Sequence, residues 1–112
     1  MPAAVLRHRE YLIASIDAAL TDGEITGLGD ALLVQVARYR ARAVIVDVAA
    51  LDVIDSFVSR SLSTTARANA LQGAMTVVIG IRPDVAAAMT RCGLGIDPVV
   101  TAQDLDAALA LL

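Results

Sequence analysis

One stretch of the sequence carries most of the information about the fold: Ala43-Val-Ile-Val-Asp-Val-Ala-Ala-Leu-Asp-Val-Ile-Asp-Ser-Phe57. Its first part, residues 43–48, is a short and nearly continuous apolar run, which is typical of a central strand covered on both faces. Its second part is an acidic loop that leads to Ser56, where the spacing of the following residues predicts the start of a helix. A buried strand, a polar loop and a helix in succession form one repeat of an α/β sheet.

The first residues of the chain predict a β-hairpin. A short extended piece around Val5 and Leu6 is followed by a polar turn at residues 7–10, and then by an apolar segment that is rich in strand formers. Two such segments joined by a polar turn are typical of antiparallel strands. The single histidine, His8, falls in this turn, where a solvated loop residue is expected.

Two helices are predicted from spacing and capping signals. The sequence Thr21-Asp-Gly-Glu24 has the spacing of a capping box, and apolar residues recur every three or four positions after it. We therefore predict a helix over residues 22–40, although two internal glycines weaken the pattern. Residues 56–71 again place their apolar residues on one face, as a helix does.

The second half of the chain repeats the pattern of strand and helix. A strand at residues 75–79 ends at Gly80, and a helix follows from Pro83 to a stop at Gly93. The last predicted elements are a short edge strand at Val99 and Val100 and a helix capped by Thr101-Ala-Gln-Asp104. The alternation predicts one α/β domain over residues 1–112, with a mixed, mostly parallel β-sheet and about four α-helices.

The composition excludes several classes of function. The chain contains no lysine, so it lacks the phosphate-contacting lysine of a P-loop and the lysine near the last strand of a response-regulator receiver. Its two Gly-x-Gly strings lack the third glycine and the preceding strand of a dinucleotide site. The net charge is −3 and the nine basic residues are scattered arginines, which disfavours nucleic acid as a partner.

The sequence contains few residues that could bind a metal ion or act as a catalytic nucleophile and base. One histidine and one cysteine are present and lie far apart in the sequence, so neither a metal site nor a serine-histidine pair is predicted. Cys92 falls at the end of a predicted helix, where we expect a small buried thiol. The sequence thus predicts no enzymatic activity, no cofactor and no membrane segment, and a cytoplasmic protein without disulfides.

The candidate site is the acidic loop before Ser56. Asp47, Asp52 and Asp55 cluster there, and functional loops of an α/β sheet lie beyond the carboxyl ends of its parallel strands. A purely structural interpretation stands beside this one, because the Ser56 hydroxyl can cap the helix and the aspartates can serve as turn formers. Spacing alone favours the serine cap.

The string Val46-Asp-Val-Ala-Ala-Leu-Asp-Val-Ile-Asp-Ser-Phe57 resembles the signature of STAS domains, the family of anti-sigma-factor antagonists. In that signature a strand and an acidic loop lead to a phosphorylatable serine at a helix start. Two further motifs, Gly80-Ile-Arg-Pro-Asp-Val-Ala86 and the stop at Gly93-Leu94, resemble the RsbS-type branch, the small single-domain antagonists of the stressosome. The resemblance covers almost the whole chain.

The resemblance implies a non-enzymatic, phosphorylation-switched antagonist and scaffold. Similar proteins hold a serine switch kinase of the GHKL class (RsbT-like), assemble with sensor-bearing STAS paralogues (RsbR-like), and release the kinase on phosphorylation; a PP2C-type phosphatase acts on the phosphoserine. Ser56 matches the phosphoacceptor. The implied partner face comprises Asp52, Asp55, Ser56, Phe57 and Ser59.

Two alternatives stay open at this point. Other hydroxyls crowd the helix after Ser56, so a second or a different acceptor is not decided, although Ser59 and Ser63 are expected to be exposed residues that only contact solvent. The alternative function is a direct anti-sigma factor antagonist, which binds an anti-sigma kinase without any large assembly. A ligand-binding STAS domain has little support, because no pocket can be inferred from spacing.

Overall fold

Five strands and four helices alternate along residues 3–112, the part of the chain that the computed structural model describes. The strands are β1 (Ala3–His8), β2 (Tyr11–Ile16), β3 (Ala43–Asp47), β4 (Met75–Ile79) and β5 (Val100–Ala102). The helices are α1 (Asp22–Tyr39), α2 (Ser56–Leu71), α3 (Pro83–Arg91) and α4 (Leu105–Ala110). The predicted mixed α/β architecture is therefore confirmed.

The predicted hairpin is present, but its turn is tighter than expected. β1 and β2 pair antiparallel with His8 opposite Tyr11, so the connection consists of Arg9 and Glu10 alone. Arg9 takes up the left-handed backbone conformation, with φ of 57°, which lets two residues reverse the chain. The assignment of His8 to the turn was wrong, because its backbone extends the pairing to the end of β1, where its side chain is exposed.

The strands follow one another in the order β1-β2-β3-β4-β5, and every pair after the first is parallel. In this arrangement β3 and β4 end side by side, with Asp47 paired to Ile79. The backbone N–H of Val48 extends this pairing by donating to the Ile79 carbonyl at 3.0 Å. The loop after β3 and the turn after β4 therefore start from the same edge of the sheet.

The sheet carries apolar cores of unequal size on its two faces. On one face, α1, α2 and α3 cover alternate strand residues such as Val44, Val46 and Val78. On the other face, α4 covers a smaller cluster that includes Ile45 and Val77. Neighbours in β3 thus belong to different cores, which confirms the prediction of a central strand covered on both faces.

The two internal glycines of α1 do not have equal roles. A Cβ atom built on Gly29 would lie 2.6 Å from Oγ1 of Thr65 in α2, whereas Gly27 has nothing within 4 Å of that position. Gly29 therefore permits the close approach of α1 and α2, at the cost of a lower helix propensity. The sequence predicted only the weakening of the helix.

Two predictions near the end of the chain were wrong in detail. Thr101 does not cap the last helix but lies in β5 opposite Val78, and Asp104 caps α4 by accepting from the N–H of Ala107 at 2.9 Å. Cys92 is exposed rather than buried. It directly follows α3, which ends at Arg91, and its side chain borders an open groove beside residues 52–56.

Candidate functional site

The loop between β3 and α2, residues 48–55, will be called the β3–α2 loop. Three of its side chains are buried in the larger core: Val48 and, further along, the pair Leu51 and Ile54. Between them, Asp52 and Val53 are exposed, and Val53 leaves 69% of its surface in solvent. The loop is therefore anchored at three apolar points and presents the residues between the last two outward.

The helix that follows is capped by an aspartate and not by the serine that spacing favoured. Asp55 has an extended backbone, and its Oδ1 accepts from the N–H of Val58 at 2.9 Å. Ser56 is the first residue of α2 and its side chain is exposed. An N-cap residue directly precedes the helix, so its side chain can accept from the N–H of the third helical residue. Asp55 holds that position, and the third helical residue is Val58. The cap therefore leaves the Ser56 hydroxyl free of this bond.

The first acidic residue of the cluster has a structural role. Oδ1 of Asp47 accepts from the N–H of Ala49 at 2.9 Å and so starts the turn out of β3. Gly80, with φ of 79°, packs against the same turn, because a Cβ atom there would lie 3.0 Å from both the Asp47 carboxylate and the Ala49 methyl group. Glycine is needed here for its positive φ and for this close approach.

Sequence reasoning missed one residue of the site, Arg82. Its Nη1 donates to Asp52 at 2.9 Å, while its Nε and Nη2 donate to the two carboxylate oxygens of Asp84 at 3.3 and 3.1 Å. These hydrogen bonds, first that to Asp84 and then that to Asp52, raise the pKa of Arg82 above its ordinary value. The bond from Arg82 lowers the pKa of Asp84. The placement of Arg82 just after β4, beside an acidic loop after β3, was the signal that could have identified it.

The structure brings together some of the expected partner-face residues but not all. Asp52, Asp55 and Ser56 line one open groove of about 410 Å³ between the β3–α2 loop and α3. Phe57 is half-buried and lines a different groove, between α1 and α2. The face implied by the resemblance is thus split between two grooves.

The expectation that Ser59 and Ser63 are exposed was wrong. Ser59 is 2% exposed and Ser63 is 8% exposed, because both lie on the stripe of α2 that also carries Leu62 and Ala66 into the core. Serine is small enough to fit this stripe, and Oγ of Ser59 has no hydrogen-bond partner among residues 3–112. Ser59 therefore does not belong to a surface that a partner could contact.

Residues 3–112 contain neither a cluster of metal ligands nor a membrane-spanning helix. No group of three or more metal-ligating side chains comes together in this part of the chain. None of the helices in the same range is long and apolar enough to cross a membrane. The β3–α2 loop with the start of α2 remains the candidate site.

Comparisons with known proteins identify the family of the domain. The family model of the STAS domain matches residues 3–108. The RsbT co-antagonist protein RsbRA of Bacillus subtilis (strain 168) is 30% identical over 74 residues, which are 66% of this chain and 27% of that protein. This chain therefore spans about a quarter of the length of that curated relative.

Solved structures give matches over nearly the whole chain. RsbS from Moorella thermoacetica, in a variant with a serine replaced by glutamate, has a TM-score of 0.81 at 28% identity, covering 99% of this chain and 94% of that one. A chain in a structure of the stressosome, described as a signal integration and transduction hub, has a TM-score of 0.73 at 28% identity, covering 96% of this chain and 94% of that one.

Proposed function

Since the chain belongs to the STAS domain family, we propose that it is a non-enzymatic antagonist and scaffold subunit of a stressosome, similar to RsbS, which is switched by phosphorylation of Ser56. One observation carries the proposal. Ser56 is exposed at the first position of α2, while the neighbouring Asp55 supplies the cap. The Ser56 hydroxyl is thus accessible to a kinase, and helix stability does not depend on it.

The position of Ser56 allows the domain to accept a phosphate without unfolding. A phosphoserine adds a charge of about −1.5 to −2 and three acceptor oxygens. At a helix N-terminus the free backbone amides and the helix dipole favour an anion. We therefore expect phosphorylation to change the surface of the protein and to leave its core intact.

The same phosphate changes what a partner meets on this surface. Asp52 and Asp55 are exposed beside Ser56, so the added charge makes an acidic surface strongly negative. A partner shaped for a neutral hydroxyl then loses affinity. Loss of one such interface contact costs about 2–5 kcal/mol, which corresponds to about 30-fold to several thousand-fold in affinity. A change of this size is sufficient for a switch.

The partners in this proposal are a serine kinase of the GHKL class, RsbT-like, which the unphosphorylated protein holds, and a sensor-bearing STAS paralogue, RsbR-like, with which it assembles. A PP2C-type phosphatase would remove the phosphate. The similarity to RsbRA and to a stressosome chain supports the assembly. The mechanism requires no catalytic residue or cofactor from this chain.

Phosphorylation with the RsbT-like kinase of the same organism and ATP tests the switch. We expect mass spectrometry to locate one phosphate on Ser56, and the phosphorylated protein to lose the kinase on a size-exclusion column. Absence of phosphate from Ser56 would overturn the proposal. Phosphate on Thr64 alone, an exposed hydroxyl of the same helix, would equally overturn Ser56 as the acceptor.

A direct anti-sigma factor antagonist is the second candidate function, because the STAS family also includes proteins of this kind. The two candidates differ in the size of the complex. Light scattering of the protein mixed with a sensor-bearing STAS paralogue should detect a megadalton-scale particle if the chain is a stressosome subunit. A small complex with an anti-sigma kinase, and no particle with the paralogue, would favour the second candidate.

A further inference from the structure

We propose that Arg82 is a positioning residue for the phosphorylation of Ser56, because it holds the β3–α2 loop in the shape that the kinase binds. The inference rests on the proposed function and extends it to a residue outside the loop. Arg82 does so through Asp52, which it contacts across the gap between the loop after β3 and the turn after β4.

The guanidinium of Arg82 is held on two sides. Its Nε and Nη2 form a two-point contact with the carboxylate of Asp84, in the first turn of α3. Pro83, the first residue of α3, restricts the backbone between them. The remaining Nη1 donates to Asp52 at 2.9 Å. Asp84 thus fixes the orientation of the guanidinium group whose Nη1 contacts Asp52 in the loop.

The contact from Arg82 holds the exposed part of the β3–α2 loop. Of the loop's three buried residues, the last two are Leu51 and Ile54, and the segment between these two carries the exposed Asp52 and Val53. The contact from Arg82 ties this segment to α3, across a separation of thirty residues. Since Asp52 and Ser56 line the same groove, the position of one affects the surface around the other.

Arginine is specific for this role. Its planar fork can donate to two carboxylates at fixed angles, whereas lysine offers one compact charge on a flexible chain. Replacement by lysine keeps the charge near Asp52 and Asp84 but loses the two-point contact. The side chains of Arg82, Asp52 and Asp84 are 40%, 83% and 68% exposed, so their contribution to folding stability is small.

The test compares Arg82→Gln with the unaltered protein as substrates of the RsbT-like kinase. We expect KM for the protein substrate to rise about fivefold in Arg82→Gln, the size of one exposed ion pair, with kcat unchanged. Arg82→Lys should give a smaller rise. The control is Arg42→Gln, which breaks a longer and more exposed arginine ion pair, with Glu10 at 3.5 Å. It lies before β3, at the other end of the strands, and its loss should leave KM unchanged.

Hydrogen exchange of the protein alone is a second readout that does not require the kinase. We expect the amides of Ala49 and Leu51 to exchange faster in Arg82→Gln and at the same rate in Arg42→Gln. Equal KM and equal exchange in the two variants would overturn the role of Arg82 while leaving Ser56 as the acceptor. If the unaltered protein takes no phosphate on Ser56, the proposed function fails instead, and exchange still decides whether Arg82 holds the loop.

A double variant tests whether Arg82 acts through Asp52. If it does, Asp52→Asn combined with Arg82→Gln should raise KM no further than Asp52→Asn does alone. Additive increases would show that the kinase contacts Arg82 directly, and would overturn its assignment as a positioning residue.

Discussion

The first turns of α1 and α2 start in different ways, although a hydroxyl and a carboxylate are available at both. At α1, the hydroxyl of Thr21 accepts from the N–H of Glu24 at 3.1 Å, and the Glu24 carboxylate accepts from the N–H of Thr21 at 2.9 Å. At α2, the carboxylate of Asp55 is the cap and the hydroxyl of Ser56 lies one position later. The hydroxyl caps the helix at α1, whereas at α2 it makes no cap and is exposed, as the proposed phosphorylation requires.

The largest effect that this comparison predicts is on Ser56 itself. We expect Ser56→Ala to abolish phosphate incorporation by the kinase, because the acceptor oxygen is removed. The free energy of unfolding should change by less than about 0.5 kcal/mol, as for an exposed side chain that makes no cap. Urea denaturation gives the stability, and mass spectrometry gives the phosphate. A loss of stability as large as that expected for the removal of a helix cap would show that the Ser56 hydroxyl contributes to capping α2.

Removal of the true cap of α2 should have the opposite pattern. Asp55→Ala is expected to lower the free energy of unfolding by about 1 kcal/mol, and by no more than about 2 kcal/mol, because the amide of Val58 loses its acceptor. Asp55→Asn is the matched control, since asparagine caps about as well as aspartate without the charge. Equal stability of the Ala and Asn variants in urea would contradict the assignment of Asp55 as the cap.

At α1, the corresponding substitution should affect folding alone. Thr21→Ala is expected to cost about 1 kcal/mol, because the N–H of Glu24 loses its hydroxyl acceptor while the bond from the Thr21 backbone N–H to the Glu24 carboxylate remains. Thr21→Ser should retain most of the stability, since serine supplies the same hydroxyl. Phosphorylation of Ser56 should proceed at the unaltered rate in both variants. A slowed kinase reaction with folded Thr21→Ala would show that the two helix starts are coupled.

A negative charge at the first position of α2 should have effects of opposite sign on stability and binding. Ser56→Asp is expected to raise the free energy of unfolding by about 0.3–1 kcal/mol, because an anion is favoured at a helix N-terminus. It should weaken kinase binding only in part, since a carboxylate carries about half the charge of a phosphate. Calorimetric titration with the kinase measures the binding, and a destabilised Ser56→Asp would contradict the expected dipole effect.

The smallest expected effect concerns the start of α3, where Arg82 makes no side-chain cap. The bond from Arg82 lowers the pKa of Asp84 in the folded protein, so the folded state binds a proton at Asp84 less readily than the unfolded chain. The associated stability is present above the unfolded pKa and is lost as the pH falls through the folded value. We expect Asp84→Asn to have a slightly lower melting temperature than the unaltered protein at pH 7. This difference should vanish when the pH is below the pKa of Asp84 in the folded protein. A difference that grows as the pH falls would contradict this sign.

The elements of the fold could be predicted because their signals are local. The capping box at Thr21, the apolar run of β3 and the periodicity of α2 each lie within a few residues of the chain. The prediction of the α2 cap was wrong because two neighbouring residues can each serve as the cap. Asp55 and Ser56 are adjacent residues that can both cap a helix, and spacing alone does not decide between them.

The errors in burial have a common origin in packing. Ser59, Ser63 and Cys92 were assigned from residue type, but their exposure depends on which stripe of a helix faces the sheet and on where that helix ends. The two serines lie on the inward stripe of α2, and Cys92 follows the last turn of α3. Residue type predicts burial only on average, since small polar residues are tolerated where a helix lies close to its neighbours.

The sequence by itself determined the order of strands and helices, the acidic loop and the serine that follows it, because each depends on neighbours in the chain. Only the tertiary structure decided that Asp55 frees the Ser56 hydroxyl, that Ser59 is buried, and that Arg82 reaches Asp52. The last contact joins residues thirty positions apart, which meet because β3 and β4 are parallel neighbours that end at the same edge. Periodicity and capping signals extend over a few residues, whereas the meeting of two loops depends on how the strands pair.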